Sequence, residues 1–435
     1  MIRRLDLPAH GLEGVVAALE GLPDDVSLEI VRTVDDVVRA VRRDGDRALL
    51  EATLRYDGFA APDAGALVIA PPQFEAAERA LAPPLRAALR YAAERIERYH
   101  AAAPPKSWRI TDEHGSVLGQ EVRPLDRVGL YAPGGRAAYP STVLMTAIPA
   151  RVAGVRELVL VTPPAADGAV NASVLAAARI AGVTEGYRVG GAQAIAALAY
   201  GTATIRRVDK IVGPGNAYVA EAKRRVFGDV GIDMVAGPSE VVVVADGAAD
   251  AECAAADLLA QAEHDPLARA ILITDDARLV EAVAAALERQ LARLPRRAIA
   301  AEALARRGAL VRAATLDQAV DLVNRLAPEH LELLVAVPQA LLPRVRHAGA
   351  VFVGPRTPEV VGDYVAGPSH VLPTSGTARF SSPLGVEDFV KRSSVVEYSG
   401  AGLAAGLPHL AALADAEGLG GHRAAAEIRV QGGPR

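Results

Sequence analysis

Gln261 and His264 are the first pair of side chains that could do chemistry together. They follow an alanine- and leucine-rich segment in which helical spacing relates the apolar residues Ala251, Ala255, Leu258, Leu259 and Ala262. Both polar residues fall off this apolar stripe, and a separation of three residues places them on one face of a helix. Such a face is commonly just solvated. It is also half of a metal site, because both side chains offer a lone pair.

Other segments bring acids, imidazoles and hydroxyls together. Glu329 and His330 follow a helix end and could form an acid–base pair, since burial moves both pKa values toward neutrality. The same two residues are also ordinary at the start of a strand. Asp363 is a candidate oxygen ligand, and His370 lies in a Gly/Pro turn. Ser239 stands at a loop-to-strand junction, where its hydroxyl could reach a ligand or satisfy the turn.

Glycine-rich turns follow three predicted strands. The turn at 133–135 precedes a helix that we expect Ser141 or Thr142 to cap, which would present backbone N–H groups suited to a phosphate. An ordinary strand–turn–helix has the same pattern. The other two turns each carry a side-chain amide, Gln193 or Asn216, which can bind a ribose or a carboxamide. No Gly-x-Gly-x-x-Gly fingerprint appears in this region, so the turns indicate a nucleotide-sized ligand without specifying NAD.

The surrounding pattern predicts parallel βαβ units. Short apolar runs alternate with helical segments from 127 to 245, and a second series of this kind follows residue 265. Ligands are expected at the carboxyl ends of such strands. Before residue 127 the pattern predicts a hairpin over 106–122 and helices over 33–56, 73–82 and 84–101. After residue 385 it predicts a short strand over 394–398 and a helical tail.

Composition excludes several classes of protein. The 435 residues are 51% hydrophobic and 23% charged with a net charge of −5, so no basic excess is available for nucleic acid. No apolar run has the length of a membrane span and the first residues lack a signal-peptide core. A single cysteine, Cys253, excludes a disulfide framework. We therefore expect a cytoplasmic globular protein of two large domains.

The ordered motifs resemble histidinol dehydrogenases over nearly the whole chain. They are Tyr131-Ala-Pro-Gly-Gly135, Gly190-Gly-Ala-Gln193, Gly213-Pro-Gly-Asn216, Ala236-Gly-Pro-Ser239-Glu240, Gln261-Ala-Glu-His264, Ala327-Pro-Glu329-His330, Gly362-Asp363-Tyr364, His370-Val-Leu-Pro-Thr374 and Glu417 with His422. One motif alone would be weak, whereas the ordered set is highly specific.

The resemblance implies an activity and its cofactors. Members of this family oxidise L-histidinol to L-histidine through L-histidinaldehyde, the last steps of histidine biosynthesis, and use two NAD⁺ in turn. They are homodimers with one zinc ion per subunit. We expect the zinc mainly to hold and orient the substrate, whose imidazole and amine can complete the ligand shell.

The resemblance also implies roles for individual residues. Glu329 and His330 correspond to the catalytic pair, with His330 as the base for alcohol oxidation and Glu329 activating water for aldehyde oxidation. The zinc ligands correspond to Gln261, His264, Asp363 and His422. The NAD contacts correspond to Tyr131, Gln193 and Asn216. The substrate contacts correspond to Ser239, Gln261, His264, His330, Asp363, His370, Glu417 and His422.

The expected architecture is two incomplete Rossmann-like βαβ domains with parallel sheets in a domain-intertwined homodimer. We expect an N-terminal arm (1–24), a larger α/β domain carrying the metal and acid–base residues (25–128 plus 239–385) and an α/β NAD-binding domain (129–238). A helical tail (386–435) would contribute Glu417 and His422 to the partner's active site.

Three other functions would each require a different set of residues. A paralogous NAD-dependent dehydrogenase of another small alcohol, such as a sulfonate diol, would lose the groups that recognise imidazole and amine, which are kept here. A metal-dependent hydrolase would leave the paired glycine turns without a purpose. A binding module would not need acid–base and metal groups together. One departure from many family members is the Gly-Pro-Ser turn before His370, where asparagine is expected directly before the histidine.

Overall fold

Two parallel sheets form the framework of the chain. A computed structural model describes residues 2–20, 27–134 and 138–432, so the predicted turn at Gly135 and the end of the predicted arm at 21–24 lie outside the described residues. In chain order the strands are β1 (Arg3–Asp6), β2 (Val68–Ile69), β3 (Trp108–Thr111), β4 (Val117–Pro124), β5 (Arg127–Tyr131), β6 (Glu157–Thr162), β7 (Glu185–Arg188), β8 (Lys210–Val212), β9 (Gly231–Ile232), β10 (Glu240–Ala245), β11 (Arg269–Thr274), β12 (Ala309–Arg312), β13 (His330–Leu334), β14 (Ala350–Val353) and β15 (Val390–Glu397).

Helices cover both faces of these sheets. In chain order they are α1 (Leu7–Glu20), α2 (Leu28–Asp44), α3 (Asp46–Ala52), α4 (Pro71–Ala80), α5 (Pro83–His100), α6 (Pro140–Ala153), α7 (Ala172–Ala181), α8 (Gly191–Tyr200), α9 (Ala217–Val226), α10 (Ala251–Ala262), α11 (Ala277–Leu291), α12 (Arg297–Arg307), α13 (Leu316–Leu326), α14 (Pro338–Leu341), α15 (Val360–Tyr364), α16 (Gly400–Ala416) and α17 (Gly420–Gly432). Across the described residues, no helix has the length and apolar character needed to cross a membrane.

The first sheet has six parallel strands in the order β1–β12–β11–β10–β13–β14. Its central strand β10 is buried along its whole length, which is why residues 240–245 include an unbroken run of four valines. The predicted N-terminal arm is different in the structure. Residues 3–6 form the edge strand β1, because their backbone pairs with β12, which would otherwise present an open edge.

The second sheet has the order β2–β7–β6–β5–β8–β9, with β2 antiparallel to β7 and the other pairs parallel. The chain runs outward through β5, β6 and β7, then returns to the other side of β5 to form β8. The switch in direction lies between β5 and β8, which is where open α/β sheets form a ligand crevice. The two sheets confirm the predicted parallel α/β character of the chain.

The helices between residues 28 and 100 pack on the second sheet. Phe74, Leu89 and Ile96 belong to the same buried cluster as Val128 and Leu130 of β5. This packing differs from the predicted division, which grouped 25–128 with the residues of the first sheet. The reason is amphipathicity: the apolar stripes of α2, α4 and α5 match the second sheet's helical layer, α6 to α9.

A small antiparallel sheet of order β15–β4–β3 carries the tail. It confirms the predicted hairpin over 106–122, and its third strand begins at Val390, four residues before the predicted one. The hydroxyl of Ser399, which caps α16, donates a hydrogen bond of 2.7 Å to the carbonyl of His114 in the hairpin loop. The start of the tail is therefore tied to the hairpin, and α17 packs against α16.

Two local predictions are wrong. The helix predicted over 33–56 is divided at Gly45, which adopts φ 58°, and ends in a π-helical turn over Thr53–Asp57. The helix predicted to be capped by Ser141 or Thr142 begins at Pro140 after Tyr139 and has no side-chain cap. Proline suits the first helical position because its missing N–H is not needed there.

Gly213 allows the ends of β5 and β8 to approach closely. It adopts φ 113°, and a Cβ atom there would lie 2.2 Å from the carbonyl oxygen of Tyr131. Gly228 is a matched control, since it adopts φ 105° with nothing within 4 Å of its Cβ position. We expect Gly213→Ala to destabilise the fold by about 2 kcal/mol or more beyond Gly228→Ala, because only the former adds overpacking to backbone strain. Denaturant unfolding of both variants measures the difference, and equal losses would show that the contact with Tyr131 imposes no constraint.

Candidate active site

The candidate acid–base pair lies at the amino ends of the strands of the first sheet. Glu329 immediately precedes β13, and His330 is its first residue. Ser239 and Glu240 stand at the corresponding end of the neighbouring strand β10, which is parallel to β13. The candidate residues of the first sheet therefore lie at the amino ends of its strands. The alternating pattern had instead predicted ligands at the carboxyl ends.

His330 is held as a neutral base. Its ring is 6% exposed, and Nδ1 lies 3.0 Å from the carbonyl oxygen of Glu240. A carbonyl only accepts hydrogen bonds, so Nδ1 carries the proton and Nε2 keeps its lone pair. Burial lowers the pKa of His330, although the charge of Asp363 opposes this effect. The imidazole is thus free to accept a proton at neutral pH.

Glu329 is buried beside this base. Its carboxylate accepts a hydrogen bond of 2.9 Å from the backbone N–H of Glu240 and a second from the Ser239 side chain. Burial raises the pKa of Glu329 well above the usual carboxyl range, and these hydrogen bonds oppose the rise. Its Oε2 lies 3.7 Å from Nδ1 of His330. The two residues form one buried pair, and Ser239 is brought into contact with it.

Gln261 is buried without a hydrogen-bond partner. It occupies the last turn of α10 with 1% of its surface exposed, so the solvated interpretation of this position is wrong. Among the described residues, neither its side-chain oxygen nor its side-chain nitrogen has a hydrogen-bond partner. His264 lies in the turn just after α10, where its backbone N–H donates to the carbonyl of Gln261 at 3.2 Å. A buried amide left unpaired in this way costs free energy, which a ligand would recover.

Asp363 and His370 complete the cluster on the described chain. Nδ1 of His370 lies 3.7 Å from Oδ1 of Asp363, and Nε2 lies 3.2 Å from the hydroxyl of Thr142 near the start of α6. Burial lowers the pKa of His370, against the opposing charge of Asp363. The charge of His264 also acts on both His330 and His370. The cluster therefore joins the first sheet to the helix that follows β5 of the second.

The three expected ligands Gln261, His264 and Asp363 fit a zinc ion only if a fourth ligand comes from elsewhere. Among the residues that the structure describes, no three or more His, Cys, Asp and Glu side chains are grouped so that they could hold a metal. Of the expected ligands, His264 and Asp363 are of these types, and Gln261 adds an amide oxygen. The unpaired amide of Gln261 supports its role as a ligand, and a set of two imidazoles, one carboxylate and one amide suits zinc.

The structure does not bring Glu417 or His422 to this cluster within the chain. Glu417 ends α16 and His422 lies in α17, and both are exposed. These helices pack against each other, and the cap of α16 is hydrogen-bonded to the hairpin loop. The expectation that they serve a second copy stays a prediction.

The expected NAD contacts surround the switch point of the second sheet. The hydroxyl of Tyr131, at the end of β5, accepts a hydrogen bond of 3.1 Å from Gly191 N–H, and burial raises the pKa of this tyrosine. Gln193 is 1% exposed, and its amide nitrogen donates to Asp57 at 3.0 Å. The side-chain oxygen of Asn216 caps α9 by accepting from the N–H groups of Tyr218 and Val219. Of the three expected contacts, only Asn216 is openly exposed.

Sequence reasoning missed a group of buried acids behind His330. Oε2 of Glu359 lies 3.5 Å from Nδ1 of His330, and the N–H of Glu359 donates to Glu332 at 2.6 Å. Glu332 in turn shares a side-chain hydrogen bond with Asp257 of α10. Two carboxyl groups can share such a bond only if one is protonated, and burial accordingly raises the pKa of Glu332. The visible sequence signal was an acidic residue among apolar neighbours in each of two elements, Asp257 before Leu258 and Leu259 in α10 and Glu332 between leucines in β13.

A cavity of about 650 Å³ reaches this site. His330 and His370 line one part, and His100 with Glu387 line another. Its size suits a small-molecule substrate.

Two parallel sheets with buried histidines lining a cavity of small-molecule size are the features of an α/β enzyme. The family model for histidinol dehydrogenase matches residues 23–430. The chain is 51% identical over 433 residues to the histidinol dehydrogenase of Pseudomonas syringae pv. tomato, covering 99% of this chain and 96% of that protein. It is 55% identical over 402 residues to that of Moorella thermoacetica, covering 92% and 95%.

A solved structure agrees with these relatives. The histidinol dehydrogenase from Elizabethkingia anophelis superposes with a TM-score of 0.93 at 34% identity, covering 99% of this chain and 98% of that one. The chain belongs to the histidinol dehydrogenase family. It is therefore an oxidoreductase of histidine biosynthesis that acts on histidinol.

The protonated state of Glu332 has a consequence for stability. Because the folded pKa lies above the ordinary value of 4.5, the folded state holds a proton that the unfolded state loses. The stabilising effect of this protonated group is fully present below pH 4.5. It is lost as the pH rises through the raised pKa of Glu332 in the folded state. Glutamine imitates the protonated acid, so we expect Glu332→Gln to melt about 2 °C or more above the parent at pH 8.5 and close to it at pH 5.

Thermal melts across this pH range measure the effect. Glu302→Gln is the matched control, since Glu302 is exposed in an i,i+4 pair with Arg306. A difference between Glu332→Gln and the parent that does not change with pH would contradict the protonated state of Glu332.

Proposed function

We propose that the protein catalyses the NAD-dependent, four-electron oxidation of L-histidinol to L-histidine through L-histidinaldehyde. The observation that carries this proposal is the His330–Glu329 pair, in which a neutral imidazole with a free Nε2 adjoins a buried carboxyl group. One base and one water-activating group are what an alcohol oxidation followed by an aldehyde oxidation requires. Family membership supports the substrate.

His330 serves the first oxidation. Its Nδ1–H is fixed on the Glu240 carbonyl, which aims Nε2 away from the β10 backbone. Nε2 accepts the proton of the substrate hydroxyl as the carbon loses a hydride. Burial raises the pKa of Glu359, whose carboxyl lies 3.5 Å from Nδ1; once ionised, this group lowers the cost of the imidazolium that forms.

Glu329 serves the second oxidation. The aldehyde must add water before it can lose a second hydride, and Glu329 accepts a proton from that water. Its raised pKa makes it a stronger base than a surface carboxylate once it is ionised. Aldehyde oxidation by a thiol nucleophile has no support here, because Cys253 is an exposed residue near the start of α10.

The proposed zinc ligands are Gln261, His264 and Asp363 from one subunit and His422 from its partner, with one ion per subunit. When bound, the zinc holds and orients the imidazole and amine of the substrate. The unpaired, buried amide of Gln261 is the observation that supports a ligand at this point. Ser239, His370 and Glu417 are proposed as further substrate contacts, together with His330 and the ligand residues.

The proposed NAD site is the crevice between β5 and β8. Tyr131, Gln193 and Asn216 are its proposed contacts, and NAD⁺ held there would supply the hydride acceptor for both oxidations. The position at the topological switch point supports this assignment. The enzyme is proposed to be a cytoplasmic homodimer in which the tail over 386–435 completes the partner's site.

The test of function is turnover of L-histidinol with measured stoichiometry. We expect two NADH for each histidine formed. We expect His330→Asn to slow alcohol oxidation by about 10²–10⁴-fold, since general bases contribute that much. Glu329→Gln should slow aldehyde oxidation by a comparable factor and largely spare the alcohol step.

Each half-reaction is assayed separately, from histidinol and from histidinaldehyde. His409→Asn is the control, because this tail histidine is exposed and has no assigned role. Turnover only with another alcohol, such as a sulfonate diol, would overturn the proposed function. Equal losses in both half-reactions for both variants would overturn the division of roles.

The proposed zinc site predicts a loss of bound zinc when one of its ligands is removed. Dialysis against a chelator should remove activity, and His422→Ala should hold less than about a tenth of the parent's zinc at limiting metal, since one of four ligands is lost. Elemental analysis of the dialysed protein measures this.

His409→Ala controls for the loss of any tail histidine. Mixed dimers of His422→Ala and Glu329→Gln subunits test the partner's contribution. One subunit of such a dimer would carry an intact pair with an intact partner tail, so aldehyde oxidation should return to about half. Full zinc retention by His422→Ala would exclude this residue as a ligand.

A further inference from the structure

Asp57 occupies the glycine turn that follows β7. Its Oδ2 accepts hydrogen bonds of 3.0 Å from the backbone N–H of Gly190 and 3.0 Å from the side-chain nitrogen of Gln193. Asp57 comes from the π-helical turn at the end of α3, 133 residues away in sequence from Gly190. It is partly exposed, whereas Gln193 and Tyr131 are buried. A ligand entering from solvent at this turn meets the carboxylate of Asp57 first.

This carboxylate takes the place that a phosphate has in many dinucleotide sites. A helix N-terminus ordinarily offers its free N–H groups to a phosphate. At α8, however, Gly190 N–H is bonded to Asp57 and Gly191 N–H is bonded to the Tyr131 hydroxyl. The turn is satisfied internally and already carries a negative charge. A phosphate group would be repelled here.

A carboxylate also occupies a backbone N–H group of the second glycine turn. Gly213 N–H donates to Asp233 at 2.8 Å, and Asp233 forms an ion pair with the buried Lys223. That carboxylate is neutralised by its lysine. In contrast, the described part of the chain shows no ion pair to Asp57. Asp57 therefore presents an uncompensated charge to the crevice.

The position of Asp57 relative to the strands points to a ribose. In NAD-binding βαβ sheets, an acidic side chain near the end of the second strand binds ribose hydroxyls. Here the second strand, β6, is followed by Pro163 and Pro164 and not by an acid. A Cβ atom on Gly190 would lie 2.6 Å from Pro163 Cγ and 2.7 Å from Asp57 Oδ1, so these two groups flank one point. Asp57 supplies from another segment the carboxylate that β6 lacks.

We propose that Asp57 determines the choice of dinucleotide, accepting a hydrogen bond from a ribose hydroxyl of NAD and excluding the phosphorylated ribose of NADP. This inference rests on the NAD site proposed above and adds a residue that sets its specificity. The carboxylate also holds Gln193, so it positions one proposed cofactor contact while it selects the cofactor.

The test is direct binding of NAD⁺ and NADP⁺ to the full-length, zinc-loaded protein by calorimetry. We expect the parent to bind NAD⁺ in clear preference. In Asp57→Asn the ratio of NADP⁺ to NAD⁺ affinity should rise by at least about tenfold, mainly through tighter NADP⁺ binding, because the repulsive charge is gone and the shape is kept. Asp57→Ser, which also removes the charge, should change the ratio in the same direction.

Glu51→Gln is the matched control, since it removes one exposed charge from α3, where Glu51 pairs with Arg47 away from the turn. It should leave the ratio unchanged. A merely structural role for Asp57 would weaken both dinucleotides together, so an unchanged ratio in Asp57→Asn and Asp57→Ser overturns the inference while the NAD site stands. Failure of the parent to bind NAD⁺ would overturn the proposed function as well.

Discussion

The burial of carboxyl groups around a single imidazole is the constraint on which the active site depends. Glu240, Glu329, Glu332 and Glu359 are each 5% exposed or less, and burying a carboxyl group is costly unless it is hydrogen-bonded. Backbone N–H donors from other segments satisfy three of these four carboxyl groups. The N–H of Glu240 donates to Glu329, that of Glu359 to Glu332 and that of Ser375 to Glu240. The acids thus join the starts of β10 and β13 to the loops at 359 and 375, and the position of His330 follows from this network.

In the proposed mechanism, the two sheets contribute opposite ends of their strands. The second sheet presents the carboxyl ends of its strands, where Tyr131 and the glycine turns lie. The first sheet presents the amino ends of its strands, where Glu329 and His330 lie. The hydrogen bond between Thr142 and His370 links the two regions directly. A cofactor held by one sheet and a base held by the other would therefore act on a substrate between them, which explains why neither unit contains the whole site.

Local patterns were enough to predict part of this arrangement. Alternation of apolar and helical segments predicted both parallel sheets, and spacing identified Gln261 and His264 as a candidate pair. Pattern could not show that Gln261 is buried, because that depends on the packing of α10. Nor could it find Asp57, whose partners lie more than 130 residues away. The break at Gly45 was missed because glycine's tolerance of positive φ matters only once the packing of α2 on α8 is known.

The edge strand β1 has a consequence for the order in which the chain can assemble. Arg3 pairs with Ala309, so strand β1 waits for a partner made some three hundred residues later. The second sheet draws all its strands from Val68 to Ile232 and can close while synthesis continues. The unit proposed to bind the cofactor would then be complete before the first sheet, in which β1 pairs with the late strand β12. Because such long-range pairing forms slowly, the amino-terminal strand is the segment most exposed to mispairing during synthesis.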